Sequence, residues 1–164
     1  MIVGREPDDT ETATALEMLA SAEIHNVPVW LDISHYGKFT DMAKYSAALL
    51  VKHGSSLDLS KLGEVCVSLE HLWDGKDAVG LVHGDLKRDN ILVCSDGIKI
   101  IDWQRPMFAP KIIDGVSALT VTDADAVRLA KLIEAYWLLY AFDKKLGALG
   151  HVFKWAEKDI ADVI

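Results

Sequence analysis

An acid, an amide and a second acid lie close together in the segment LVHGDLKRDNILVCSDGIKIIDW, residues 81–103. Asp85 and Asn90 fall on the two sides of a short loop, and Asp102 follows the second of two apolar stretches. Asn90 and Asp102 suit Mg²⁺, which prefers oxygen ligands and keeps positions for phosphate and water. Asp85 suits the acceptance of a proton from an attacking hydroxyl. The combination predicts phosphoryl transfer, which depends mainly on positioning and charge neutralisation.

The apolar residues around these side chains predict how they are positioned. The stretch VGLVHGD reads as an extended segment. The stretches NILVC and IKIID read as two short strands around Asp96-Gly97, which is a strong hairpin signal. Folding such a hairpin brings Asn90 and Asp102 to one of its ends, with Asp85 one loop away.

The rest of the chain reads mostly as helices. Apolar residues at helical spacing predict helices over Asp9–His25, Thr40–His53 and Ser60–Trp73, from Thr122 onward, and from Ala148 to near the end. The helix that opens near Thr122 is expected to present one face formed by Val127, Ala130, Ile133, Tyr136, Trp137 and Tyr140. A loop is expected around Pro106 and Pro110. The predicted fold class is mainly α with a small central β-hairpin, in a single domain over residues 1–164.

The sequence HGDLKRDNILV followed by IKIIDW resembles the motifs of the aminoglycoside phosphotransferase and choline kinase superfamily, which has a protein-kinase-like fold. The resemblance implies that Asp85 is the catalytic base, that Asn90 is a metal ligand and that Asp102 is the principal Mg²⁺ ligand. It therefore implies Mg²⁺ and ATP, or another nucleoside triphosphate, as cofactors. It also adds His83 and Lys87 to the catalytic group, His83 as a support of the loop and Lys87 near the transferred phosphate.

Three neighbouring positions complete this resemblance, and Arg105 is interpreted beside them from its place in the sequence. Gly84 stands where protein kinases usually carry arginine, and Trp103 stands where they carry the phenylalanine after the metal-binding aspartate. Asp114 resembles the acid beyond the metal site that helps to anchor the following helix, and we interpret it as structural. Arg105 is interpreted as a member of a surface ion pair, with contact to a phosphate as the alternative.

The oxygen-bearing residues also have a purely structural interpretation. Asp85 could cap a turn, Asn90 could occupy a left-handed turn position, and Asp102 could cap the end of a strand. A histidine, an aspartate and an asparagine at three fixed offsets, followed by a hairpin that ends in Asp-Trp, rarely arise together by chance. The sequence therefore favours the chemical interpretation.

The implied fold is the helical C-terminal lobe of a protein-kinase-like α+β fold, with the catalytic loop at residues 81–90 and the metal-binding strand end at residues 98–103. The N-terminal nucleotide lobe is expected to be absent, because the sequence has no G-x-G-x-x-G and no lysine in a V-A-I-K-like strand. The predicted function is ATP-dependent phosphorylation of a small-molecule hydroxyl, in a truncated form or in one completed by a partner chain or self-association. The alternative is a non-catalytic kinase-like module that acts through a partner chain.

The composition narrows the choice of partners and location. The formal net charge is −8, which argues against nucleic acid as a partner and favours a cationic substrate. No apolar run approaches the length of a membrane span, and no secretory signal pattern opens the chain. We therefore expect a cytoplasmic protein with no membrane partner.

Overall fold

The computed structural model describes residues 4–22, 28–144 and 150–164. In this part of the chain the fold is mostly helical with two small β-sheets, so the prediction of a mainly α protein is confirmed. The α-helices are α1 Asp9–Ser21, α2 Tyr36–Lys52, α3 Leu62–Ser68, α4 Ile112–Ser117, α5 Ala124–Lys144 and α6 Gly150–Ala161. The strands are β1 Leu31–Asp32, β2 Val79–Val82, β3 Ile91–Cys94, β4 Gly97–Ile100 and β5 Met107–Pro110. None of the helices that the structure describes is long and apolar enough to cross a membrane.

The chain divides into two compact units. The first consists of Met1–Ser34 and Trp73–Asp123, and the second consists of His35–Leu72 and Ala124–Ile164. Both sheets, together with α1 and α4, belong to the first unit, whereas the second unit contains α2, α3, α5 and α6. All the candidate site residues therefore lie in the first unit. The assignment of the whole chain to one domain stays a prediction.

The predicted hairpin is present and consists of β3 and β4. Its antiparallel register pairs Ile91 with Ile100 and Cys94 with Gly97, which leaves Ser95 and Asp96 as the turn. Gly97 has a φ of +118°, a conformation that side-chain-bearing residues rarely adopt. The glycine of the predicted Asp-Gly turn is therefore required, but as the first residue of β4.

The segment predicted as a loop around Pro106 and Pro110 is instead the central strand of a second sheet. In the order β1-β5-β2, β5 pairs parallel with β1 and antiparallel with β2. Pro106 precedes the strand and offers its carbonyl to the Trp30 N–H at 2.7 Å, and Pro110 is the last strand residue. Both prolines thus lie at the ends of the strand, where a missing N–H disturbs the sheet little. The prediction of a loop was wrong because prolines at these positions are compatible with a strand.

Helix α1 packs on the hairpin and starts at a capping box. Glu11 N donates to the Asp8 carboxylate at 2.8 Å, and Asp8 N donates to the Glu11 carboxylate at 2.9 Å. The helix ends at Ser21, and the predicted end at His25 lies outside the described residues. Its buried face forms a cluster with the loop between β2 and β3 and with β3 itself, made of Ala15, Leu19, Leu86 and Ile91.

The second unit is held together by α5, which packs against α2 and α6. Its largest fully buried side chains are Phe39, Leu50, Leu69, Leu129, Leu139 and Ile160. The predicted face of α5 was largely wrong, because the buried residues are Ala126, Leu129, Leu132, Ile133, Ala135 and Leu139. The aromatic side chains at 136, 137 and 140 are only half-buried, as expected for rings that carry polar tips.

Two further predicted helices differ in their ends. The helix expected over Ser60–Trp73 is divided into α3 and a short 3-10 helix, Glu70–Trp73. The last helix runs over Gly150–Ala161, and its predicted start at Ala148 lies outside the described residues. These shifts of a few residues leave the order of the predicted helices unchanged, whereas α4 was not predicted.

Candidate active site

The loop that carries the candidate base leaves β2 at Val82 and enters β3 through a short 3-10 helix, Arg88–Asn90. Leu86 is fully buried in the middle of the loop and fixes it to the core. Gly84 has a φ of +82°, and a Cβ atom there would lie 2.6 Å from the backbone oxygen of Arg105. Both the backbone conformation and the lack of space therefore require glycine here, so an arginine of the kind found in protein kinases would not fit.

His83 ties the loop to the end of the hairpin. Its ring is buried, and Nε2 lies 2.8 Å from the carbonyl oxygen of Ile101. The backbone N–H of Asp85 donates to Nδ1 at 3.3 Å, so the network assigns the ring proton to Nε2. The ring also packs against Trp103, with 4.7 Å between the ring centroids. These contacts fit the predicted support role of His83.

Asp114, at the start of α4, holds the backbone of the same loop. Its carboxylate is 3% exposed and accepts hydrogen bonds from His83 N at 2.9 Å and from Gly84 N at 3.1 Å. Burial raises the pKa of Asp114 to about 6, although the two hydrogen bonds and the neighbouring His83 act to lower it. These contacts fit the structural interpretation of Asp114. The resemblance implied that it anchors the following helix, whereas its carboxylate here anchors the loop. We refer to His83 and Asp114 as the buried pair.

The three oxygen-bearing residues of the prediction, here called the oxygen trio, are Asp85, Asn90 and Asp102. Asn90 Nδ2 donates to the backbone oxygen of Asp85 at 2.8 Å, and Ile101 N donates to the backbone oxygen of Asn90 at 3.0 Å. Asn90 therefore lies between the base loop and the residue before Asp102. Asp102 is exposed and has a φ of +62°, a left-handed conformation that aspartate tolerates better than most residues.

Two cations flank the Asp85 carboxylate. Lys87 Nζ lies 2.9 Å from Oδ1, and Arg105 Nη2 lies 3.5 Å from Oδ2. The Lys87 side chain is 60% exposed, whereas that of Arg105 is only 14% exposed. Arg105 does form an ion pair, but its partner is the candidate base and its side chain is largely buried. Its position three residues after Asp102 was the only sequence signal for this contact.

The oxygen trio carries oxygen donors of its own that a metal ion could bind. Within the described residues there is no group of three or more His, Cys, Asp and Glu side chains that could hold a metal ion. Asn90 and Asp102 offer two oxygen donors, and the amide nitrogen of Asn90 is already committed to the loop backbone. Mg²⁺ commonly binds through one or two carboxylates plus water and substrate phosphates, so this donor set fits a phosphate-bound Mg²⁺.

The family model described as "Phosphotransferase enzyme family" matches residues 6–146. The chain belongs to this phosphotransferase enzyme family. The resemblance predicted from the loop and hairpin is thereby confirmed, and the match includes the oxygen trio, the buried pair and Lys87. No curated protein matches the chain, and no solved structure matches it. Family membership supports a phosphotransferase with chemistry of the kinase type.

Proposed function

We propose that the chain transfers the γ-phosphate of ATP, or of another nucleoside triphosphate, to a hydroxyl of a small molecule. The observation that carries the proposal is a pair of hydrogen bonds. They link Asp85 to Asn90 and Asn90 to Ile101, the residue before Asp102. This path connects the loop that carries the carboxylate of Asp85 to the end of the hairpin that carries the amide of Asn90 and the carboxylate of Asp102. Such a set matches the needs of phosphoryl transfer, which are a base for the acceptor and oxygen ligands for Mg²⁺.

Asp85 would act as the base through Oδ1. The ion pair of Oδ1 with Lys87 is exposed, and exposed pairs of this kind contribute only ~0–1 kcal/mol. An incoming hydroxyl can therefore displace Lys87 at little cost and donate its hydrogen bond to Oδ1. Arg105, which is largely buried, would keep Oδ2 in place while Asp85 accepts the proton of the hydroxyl.

Asn90 and Asp102 would hold Mg²⁺ together with the phosphates of the nucleotide. When bound, the metal ion would neutralise charge on the phosphate oxygens. The hydrogen bond from Nδ2 of Asn90 to the loop leaves its carbonyl oxygen available as a ligand. Lys87, once displaced from Asp85, would be free to approach the transferred phosphate.

The fold is proposed to be the helical C-terminal lobe of a protein-kinase-like fold. A phosphate-covering glycine-rich loop would then be supplied by a further segment, by a partner chain or through self-association, and activity of the lone chain would be low. The formal charge of −8 supports an acceptor that carries a positive charge, such as an amino alcohol.

The nucleotide site can be tested without knowledge of the acceptor. Mg·ATP is titrated calorimetrically into the parent chain, Asp102→Asn and Asp89→Asn. Asp89 is an exposed acid of the same loop, so its variant removes an equal charge and leaves the oxygen trio intact. We expect Mg²⁺-dependent binding that weakens at least about tenfold in Asp102→Asn and persists in Asp89→Asn. No binding at millimolar nucleotide, Mg²⁺-independent binding or unchanged binding in Asp102→Asn would contradict the proposal and favour the non-catalytic module.

The base can be tested separately from nucleotide binding. Asp85→Asn should keep Mg·ATP affinity and lower phosphate transfer to an amino alcohol acceptor by about 10²–10⁴-fold, since general base catalysis contributes about that much. Transfer is measured as acceptor-dependent ADP release across a panel of amino alcohols. A parent-like rate in Asp85→Asn would remove Asp85 from the mechanism.

A further inference from the structure

The second unit contains a cavity that the proposed phosphotransfer does not use. It lies between α2 and α3 and has a volume of about 380 Å³, within the usual range of ~300–1,000 Å³ for small-molecule pockets. Its walls are mostly apolar, with Leu59, Leu62 and Val67 among them. All of the lining residues belong to Tyr36–Val67, so the cavity is complete within this unit.

Small residues keep the cavity open. Ala43 and Ala47 of α2 line it on one side, and Gly63 of α3 lines it on the other. No atom lies within 4 Å of the position that a Cβ of Gly63 would occupy. A Cβ atom at this position of the lining would therefore meet no clash.

The polar side chains of the lining are those of Tyr36, Thr40, Lys44 and Cys66. Lys44 is the one cation of the lining, and its ion pair with Asp41 at 3.3 Å involves two side chains that are more than three-quarters exposed. Such a pair is weak, so Lys44 can turn to another anion at little cost. Cys66 is 6% exposed, and its thiol is free of any disulfide. Burial raises the pKa of Cys66, so the thiol stays uncharged at neutral pH.

We propose that this cavity binds a small apolar carboxylic acid, with its apolar body between α2 and α3 and its carboxylate paired with Lys44. The apolar walls and the buried thiol favour an uncharged body, and the single cation at the lining favours one negative charge. The pairing is a charge-assisted hydrogen bond, which is stronger than one between neutral groups. The proposal is independent of the proposed phosphotransfer, because it uses no residue of the oxygen trio or of the buried pair.

Octanoate is the probe of the test, and 1-octanol is its uncharged counterpart. The chain has only two cysteines, so Cys94→Ala leaves Cys66 as the single thiol, and its rate of alkylation by N-ethylmaleimide reports access to the cavity. We expect octanoate to slow this alkylation saturably, with an affinity about tenfold above that of 1-octanol. Lys44→Met should reduce the octanoate affinity to that of 1-octanol.

Two glycine variants test whether the cavity is the site. Gly63→Leu fills the cavity, whereas Gly37→Leu places the same side chain at the second residue of α2, outside the cavity and also without an atom within 4 Å. Because Gly63→Leu can itself shield Cys66, binding to both variants is measured as the rise in Tm with millimolar octanoate. We expect a rise in Gly37→Leu and none in Gly63→Leu. Octanoate binding in Gly63→Leu, equal affinities for octanoate and 1-octanol in the parent, or no effect of octanoate on alkylation and Tm would overturn the proposal.

Discussion

His83 and the oxygen trio belong to the same loop and hairpin, and Asp114 accepts hydrogen bonds from that loop from its place in α4, but the two sets differ in what surrounds them. Both ring nitrogens of His83 and both carboxylate oxygens of Asp114 are within hydrogen-bonding distance of the backbone. Asp102, by contrast, is exposed, and Asp85 pairs with a largely exposed lysine. Burial without a partner is expensive, whereas an exposed carboxylate is hydrated. Changes to the buried pair should therefore alter stability, and changes to the oxygen trio should alter ligand binding.

The largest effect that separates the two sets is expected for Asp114→Ala. The substitution leaves the backbone N–H groups of His83 and Gly84 without their acceptor. Each buried unsatisfied donor costs about 1–3 kcal/mol, so the free energy of unfolding should fall by about 4 kcal/mol in total. Asp102→Asn serves as the control and should change it by less than about 0.5 kcal/mol. Urea denaturation measures the free energy of unfolding of both variants. Equal losses would contradict the proposed difference between the buried pair and the oxygen trio.

The pH dependence of stability should also distinguish Asp114 from the exposed acids. Its folded pKa of about 6 lies above the ordinary value of 3.8, so the folded state binds this proton more tightly than the unfolded state. The stabilisation that comes from this proton on Asp114 is therefore fully present below pH ~4 and is lost as the pH rises to ~6. Over this range the free energy of unfolding should fall by about 3 kcal/mol.

Exposed acids such as Asp96 and Asp162 have lowered pKa values, because each carboxylate is hydrogen-bonded to a lysine, and they act in the opposite direction. Asp114→Asn cannot titrate at this position, so the difference between the parent and variant profiles isolates Asp114. Urea denaturation over pH 4–7 should give a difference that falls with rising pH. A flat or rising difference would show that burial does not govern this carboxyl group.

Gly84 lies between His83 of the buried pair and Asp85 of the oxygen trio, and its replacement tests how tightly the loop packs against Arg105. Gly84→Ala adds left-handed strain of about 1–2 kcal/mol and a clash with the Arg105 backbone that costs about 1–3 kcal/mol. We expect a total loss of about 3 kcal/mol. Gly54 has the same φ of +82° with no atom within 4 Å, so Gly54→Ala should show the strain alone. The free energy of unfolding of both variants is measured by urea denaturation. Similar losses would mean that the loop relieves the clash by a small shift that costs no stability.

The positions of the oxygen trio could be predicted because their signals are local. The Asp-Gly turn and the two short apolar stretches set the hairpin, and the hairpin alone brings Asn90 near Asp102. Asp85 is only five residues from Asn90, so its place follows from the same segment. The chemical roles of these residues rest on the family and remain part of the proposed function.

The parts that could not be predicted depend on contacts between distant segments. The sheet β1-β5-β2 joins short strands that are far apart in sequence, and its central strand ends in proline. The hydrogen bonds of Asp114 join it to loop residues about 30 positions earlier in the sequence, and no local sequence pattern predicts them. The buried face of α5 was missed because apolar residues occur nearly all round this helix, so periodicity did not single out one face.

The smallest expected effect concerns Leu119, which together with Asp102 makes up the non-glycine residues of positive φ in the described part of the chain. Like Asp102, Leu119 is left-handed, with a φ of +59°, but it follows α4 in a Schellman-type end and its side chain is 86% exposed. Glycine usually occupies this position, so Leu119→Gly should raise the free energy of unfolding by about 1 kcal/mol in urea denaturation. Leu119→Ala keeps the Cβ atom and should give almost no gain. If alanine stabilises as much as glycine, the gain comes from removing an exposed apolar side chain and the strain at this turn is negligible.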